Sequence, residues 1–168
     1  MTAADPLASA TRAAELVAEL SARGQTVATA ESLTAGLVAA TIAGVPGASA
    51  VLRGGLIVYA TDLKAVLAGV DTEILAHDGP VSESTAAALA DGARTRCDAT
   101  WGLGLTGVAG PDSQDGHPPG TVYIGISGPG GTRVGRPEVA GDRWGIRLGS
   151  VDAAVSGLLA RLHTTSAL

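Results

Sequence analysis

The chain has no phenylalanine, and its two tryptophans and two tyrosines make up only 2% of 168 residues. A core without Phe has to be built from Ala, Val, Leu and Ile, which pack as thin layers. Cysteine is almost absent as well. The lone Cys97 excludes an internal disulfide framework and points to a reducing compartment. It falls near the end of a helical pattern and reads as an inert, half-buried thiol. Basic residues are few: 11 Lys and Arg against 16 Asp and Glu leave a net charge of −5. That is a poor electrostatic footprint for a nucleic-acid partner. A small phosphorylated ligand is still compatible, because one or two cations or a few backbone N–H groups suffice to hold it. The three histidines, His77, His117 and His163, are isolated, so neither a metal site nor a cofactor is expected. No apolar run approaches the length of a membrane span. The opening stretch MTAADPLASATRAAELVAEL lacks a basic region followed by an apolar block, so no signal peptide is expected. Together these absences suggest a cytoplasmic protein without a membrane partner.

Hydrophobic residues amount to 46%, and 24 glycines punctuate them without erasing their periodicity. Residues 7 to 23 place Ala10, Ala13, Leu16, Val17 and Leu20 at helical spacing, and Gly24 suits a helix stop. TVATA, residues 26 to 30, reads as a strand, followed by a helix from about Leu33 to Ala43 that GVPG ends. GGLIVYA, residues 54 to 60, is continuously apolar, as a strand covered on both faces would be. DLKAVLAGV gives a short helix and DTEILAHDG another turn or two. Ser82 heads a long helix with Glu83 in its first turn. ATWGLGLTG is a third strand, and the loop VAGPDSQDGHPPG follows it. TVYIGIS and TRVGRPEV then flank GPGG as a hairpin. A helix from about Asp142 to His163 closes the pattern, with TTSAL expected to fray. The order implies one α/β domain over residues 1–168, with its core at about 7–163. The expected architecture is a three-layer α/β/α sandwich on a mixed, mostly parallel sheet.

Polar residues gather where the apolar strands end: AESLTAG after the first, YATDLK after the second, TGVAGP after the third. In α/β sheets such strand ends and their loops build the ligand crevice. If the three strands are neighbours, Ser32, Tyr59, Lys64 and Thr106 converge. Ser32 then has two readings. It caps the helix that follows, or it is a nucleophile beside the helix-start N–H groups of Leu33, Thr34 and Ala35, which suit a phosphate or an oxyanion. A nucleophile needs a base, and Lys64 serves if burial lowers its pKa. Tyr59 would relay a proton or orient the lysine. Each residue also has a plainer role. Lys64 reads as a solvated helix lysine, Tyr59 as a strand residue, TGVAGP as a turn and Arg143 with Arg147 as surface charges on one helix face. Glu31 and Asp62 read equally well as local capping or salt-bridge groups.

Taken together, TVATAESLTAGL, the tyrosine and lysine of VYATDLKAVLAGV, GPVSESTA, GLTGVAGP, PPGTVYIGI and GDRWGIR resemble the C-terminal domain of the CinA family of competence/damage-inducible proteins. They run in family order from about residue 25 to 162, and it is the ordered set that is specific. The resemblance implies a mixed-sheet α/β/α fold. It also implies metal-independent hydrolysis of nicotinamide mononucleotide to nicotinic acid mononucleotide and ammonia. By motif position the nucleophile would be Ser32, the base Lys64 and the assisting hydroxyl Tyr59. The substrate would be held by Glu31, Leu33, Thr34, Ala35, Gly36, Thr106, Gly107, Ala109 and Gly110, with Arg143 or Arg147 meeting the nucleotide. Family members often associate, so a homo-oligomer is implied. Several positions depart from the family pattern. Leu33 and Ala35 stand where Cys and Gly are common, Thr61 where Asn is usual and His117 where Lys is usual. The loop after AGP is about one residue shorter. Larger family members carry an N-terminal nucleotide-pyrophosphatase domain, to which no segment here corresponds. Two alternatives stand beside the amidase: a non-catalytic nucleotide-binding module, and an oligomeric interaction module on the same fold.

Overall fold

Helix and strand alternate through the first two thirds of the chain, and a hairpin and a long helix follow, in a computed structural model that describes residues 4–165. The elements are α1 (Pro6–Ser9), α2 (Ala13–Ala22), β1 (Val27–Glu31), α3 (Leu37–Ala43), β2 (Leu52–Ile57), α4 (Thr61–Ala68), α5 (Thr72–His77) and α6 (Glu83–Arg96). After them come β3 (Trp101–Gly107), β4 (Val122–Gly128), β5 (Gly131–Gly135) and α7 (Arg143–Thr165). The strands form one sheet in the order β2-β1-β3-β4-β5. β1 pairs in parallel with β2 and β3, whereas β3–β4 and β4–β5 are antiparallel. The sheet is therefore evenly mixed rather than mostly parallel. Glu31 lies opposite both Ile57 and Leu105, so the three parallel strands end at one edge.

Helices cover both faces of the sheet. On one side α2, α3 and α7 bury Leu16, Leu20, Val38, Ile42, Leu158 and Leu162 against Leu103 and Leu105. On the other, Ala68 of α4 and Leu89 and Ala93 of α6 pack on Ala28, Ala30 and Val58. Glycines make this second contact possible. A methyl group on Gly102, Gly104 or Gly125 would strike the α6 backbone at Ala86 or Ala90. The alanine-rich helix thus lies flush on a bare stretch of sheet, and a core nearly free of aromatics needs no wider spacing.

Four expected boundaries differ from the structure. The helix over residues 7 to 23 is split, because the Thr11 hydroxyl accepts the Ala13 N–H at 3.2 Å and restarts the helix as α2. At its far end Gly24, φ 61°, closes α2 with Gly24 N–H donating to Ser21 and Gln25 N–H to Leu20, a Schellman stop. α3 begins at Leu37, not at about Leu33. β2 is an edge strand that ends at Ile57, and Ile57 is 53% exposed, so the apolar run GGLIVYA is not covered on both faces. Within the loop after β3, Gln114 and His117 bridge around Asp115-Gly116, both at positive φ, as a type I′ turn needs. α7 takes in Thr164 and Thr165, and the remainder of TTSAL lies outside the described residues.

Candidate active site

The segment after β1 resolves into two jobs done by adjacent residues. Glu31 is fully buried, and its carboxylate accepts from the N–H groups of Gly36, Val38 and Ala39 at 2.9–3.0 Å and from the Thr29 hydroxyl at 2.9 Å. These are the orphan donors of the α3 start, so the cap of α3 is Glu31. Residues 33–36 form turns between the strand and the helix, with Ala35 at φ 47° and Gly36 at φ 96°. The left-handed conformation at position 35 costs an alanine more than a glycine. Ser32 caps nothing. Its N–H continues the sheet by donating to Leu105 O at 3.0 Å, and its hydroxyl turns toward α4.

The partner of that hydroxyl is Lys64, in the first turn of α4. Lys64 is 2% exposed and its Nζ lies 3.1 Å from Ser32 Oγ, 3.0 Å from Val58 O and 3.3 Å from Tyr59 O. None of these neighbours is a carboxylate, and burial pulls the lysine pKa down to about 8 from its ordinary 10.5. The geometry suits both protonation states. An ammonium donates to all three oxygens. A neutral amine donates its two N–H groups to the two carbonyls and turns its lone pair to the Ser32 hydroxyl.

Ser32 and Lys64 open into a cleft of about 440 Å³. Leu33, Tyr59, Thr106, Gly107, Ala109, Gly110 and Arg143 also line it. The Thr106 hydroxyl donates to Pro80 O and ties the loop before α6 to β3. Tyr59 is 54% exposed, and its hydroxyl accepts from Arg143 Nη2 at 2.9 Å, so it is the Tyr59 carbonyl that meets Lys64. Arg143 also donates to Gly110 O and so bridges the two lips of the cleft. Among the described residues, the N–H groups of Ala109 and Gly110, both on the cleft wall, donate to no acceptor. Other expected substrate contacts lie off the cleft wall. Glu31, Thr34, Ala35 and Gly36 belong to the capping turn, and Thr34 is fully buried with its hydroxyl unpaired among the described residues. Arg147 points behind that turn, donating from Nε to Leu33 O at 2.9 Å and from Nη2 to Thr34 O at 3.4 Å.

The cleft also uses residues that sequence reasoning did not single out: Pro80, Val81, Val108, Pro111, Asp112, Ser113 and Gln114. Their signals were the motif GPVSESTA and the loop after TGVAGP, both visible but without a chemical group to mark them. Among the departures from the family pattern, Leu33 does line the cleft, whereas Ala35 and His117 do not. Among the described residues no group of three or more His, Cys, Asp or Glu side chains is gathered to hold a metal ion. No helix is long and apolar enough to cross a membrane among those residues.

Fold and site together define an α/β/α domain with a buried serine–lysine pair at the ends of its parallel strands. The chain belongs to the CinA C-terminal domain family, whose model matches residues 9–162. It is 50% identical over 133 residues to a CinA-like protein of Frankia casuarinae, covering 79% of this chain and 31% of that protein. A CinA-like protein of Anaeromyxobacter is also 50% identical, over 79% of this chain and 32% of its own length. The chain thus spans about a third of these relatives. The crystal structure of the competence/damage inducible protein CihA from Agrobacterium tumefaciens superposes with a TM-score of 0.88 at 32% identity, over 97% of this chain and 99% of that one. A CinA superfamily protein from Klebsiella pneumoniae gives a TM-score of 0.89 at 27% identity, over 95% and 99%.

Proposed function

We propose that the chain is an amidohydrolase that converts nicotinamide mononucleotide to nicotinic acid mononucleotide and ammonia. The observation that carries this reading is the 3.1 Å contact between Ser32 Oγ and a buried Lys64 without a carboxylate partner. A lysine with a pKa near 8 is neutral in a useful fraction of molecules at physiological pH, which an exposed lysine is not.

Lys64 takes the Ser32 proton as Oγ bonds to the carboxamide carbon, and the carbonyl electron pair moves onto oxygen. The N–H group of Leu33, on the cleft wall and without an acceptor among the described residues, supplies the oxyanion donor, whereas Thr34 is fully buried off that wall. The Ala35 N–H is not available for this, because it donates to Ser32 O at 3.1 Å. Lys64 then returns the proton to the leaving nitrogen, the C–N bond breaks and ammonia departs. Water, deprotonated by the same amine, cleaves the ester and frees the acid and Ser32. Arg143 and the amides of Ala109 and Gly110 form the anion-binding side of the cleft and suit the nucleotide phosphate. Asp112 on the same wall repels a phosphate, so the phosphate sits toward Arg143.

The test is ammonia release from a panel of pyridine mononucleotide amides. Wild type releases ammonia from nicotinamide mononucleotide, and Ser32→Ala loses the activity while keeping its melting temperature. Tight binding of the nucleotide without turnover by wild type would instead identify a binding module. Full activity in Ser32→Ala would remove the nucleophile.

A further inference from the structure

Arg147 stands one helical turn from Arg143, where a second phosphate ligand would be expected, yet its guanidinium lies off the cleft wall. What it holds is the peptide chain next to the nucleophile. Nε donates to Leu33 O at 2.9 Å and Nη2 to Thr34 O at 3.4 Å. Its charge is not neutralised by an ion pair among the described residues. The Trp144 ring, 5.5 Å from the guanidinium carbon, flanks it on its own helix.

The peptide bond makes this grip consequential. Carbonyl and N–H of one trans peptide point in opposite directions, so a partner that fixes the carbonyl also aims the N–H. The Thr34 carbonyl that Arg147 holds and the Ala35 N–H belong to the same peptide unit. That Ala35 N–H in turn fixes the unit of Ser32 carbonyl and Leu33 N–H, donating to Ser32 O at 3.1 Å. The Leu33 amide, left without an acceptor on the cleft wall, is thus the far end of a peptide whose carbonyl is engaged. For the Thr34–Ala35 unit the engaging group is a cation, which draws electron density toward the carbonyl and makes the Ala35 N–H a stronger donor to Ser32 O.

We propose that Arg147 is the positioning residue of the oxyanion site: by gripping the Leu33 and Thr34 carbonyls it holds the turn in which the Ala35 N–H fixes the Ser32 carbonyl, and so aims the Leu33 amide that stabilises the tetrahedral intermediate formed at Ser32. The proposal rests on the reading of Ser32 as the nucleophile of an amide hydrolysis. Arg143 and Arg147, one turn apart on α7, then divide the labour. Arg143 faces the ligand and Arg147 faces the turn that carries the oxyanion donor.

The experiment compares wild type, Arg147→Ala and Arg147→Lys in two assays. One is steady-state ammonia release from nicotinamide mononucleotide and from its thioamide analogue. The other is the burst of p-nitrophenolate when p-nitrophenyl acetate acylates the enzyme. Arg147→Ala is expected to lower kcat about 10- to 100-fold with KM nearly unchanged, and to slow the burst by a similar factor. Arg147→Lys, which keeps the cation but not the fork, falls between. Sulfur is the poorer acceptor for the oxyanion donor, so the oxo-to-thio rate ratio drops in both variants. A loss of packing alone would lower both rates together and leave the ratio fixed. An unchanged ratio, or a wild-type burst in Arg147→Ala, overturns the proposal, and if that variant does not fold the ratio in Arg147→Lys decides. A wild-type burst without ammonia release refutes the substrate and leaves Arg147 to be judged on the burst. Neither burst nor ammonia from wild type refutes both.

Discussion

Two helices in this molecule begin beside a serine and a glutamate, and the order of the two residues is reversed between them. At α6 the serine comes first. Ser82 Oγ accepts the Thr85 N–H at 3.2 Å, and Glu83 lies exposed in the first turn. At α3 the glutamate comes first. Glu31 reaches forward to three amides five to eight residues away, and Ser32 is left with a lysine. A serine side chain is short and serves only a helix that starts directly after it. A glutamate at a strand end spans the turn at residues 33–36, and that turn lifts the serine out of the capping position. One arrangement makes a serine structural, and the other frees it for chemistry.

Removing each cap breaks the comparison from either side. Glu31→Ala leaves three buried amides and the Thr29 hydroxyl without their acceptor, for an expected loss of about 3 kcal/mol of stability in urea titration. Catalysis falls with it, because the turn carrying Ser32 loses its anchor. Ser82→Ala removes one ordinary cap and is expected to cost about 1 kcal/mol. Ammonia release per folded molecule should then stay at the wild-type rate. Equal stability losses in the two variants would mean that Glu31 is no more than a conventional cap.

Much of the scaffold was legible in the sequence. Strand-length apolar runs, the GPGG hairpin and the Ser82 helix start each carry a local signal, and the structure has each within a few residues of where the pattern places it. What was not legible depends on partners distant in sequence. Ser32 looks like an N-cap because nothing in AESLTAG says that the helix waits until Leu37, a delay set by Glu31 and by the positive φ values of Ala35 and Gly36. GGLIVYA looks covered on both faces because hydropathy does not reveal which strand lies at the edge of the sheet. Arg143 and Arg147 share a helix face at one-turn spacing, yet one meets Tyr59 and Gly110 while the other meets Leu33 and Thr34. Only the packing of α7 against the turn after β1 separates their roles. The family motifs supplied the serine, the lysine and the tyrosine as a set. Which atom of each makes the contact, such as the Tyr59 carbonyl rather than its hydroxyl at Lys64, is set by the packing of α4 and α7 around the strand ends.

The central claim is that a buried, neutral Lys64 activates Ser32, and the most direct measurement is kcat/KM for ammonia release from nicotinamide mononucleotide against pH. Burial lowers the lysine pKa to about 8, so the basic form is lost as pH falls below that value. The rate is expected to drop about tenfold per pH unit below about pH 8, to level off above it, and to vanish throughout in Ser32→Ala. A profile that stays flat across that pH, or one that rises toward acid, would contradict the account.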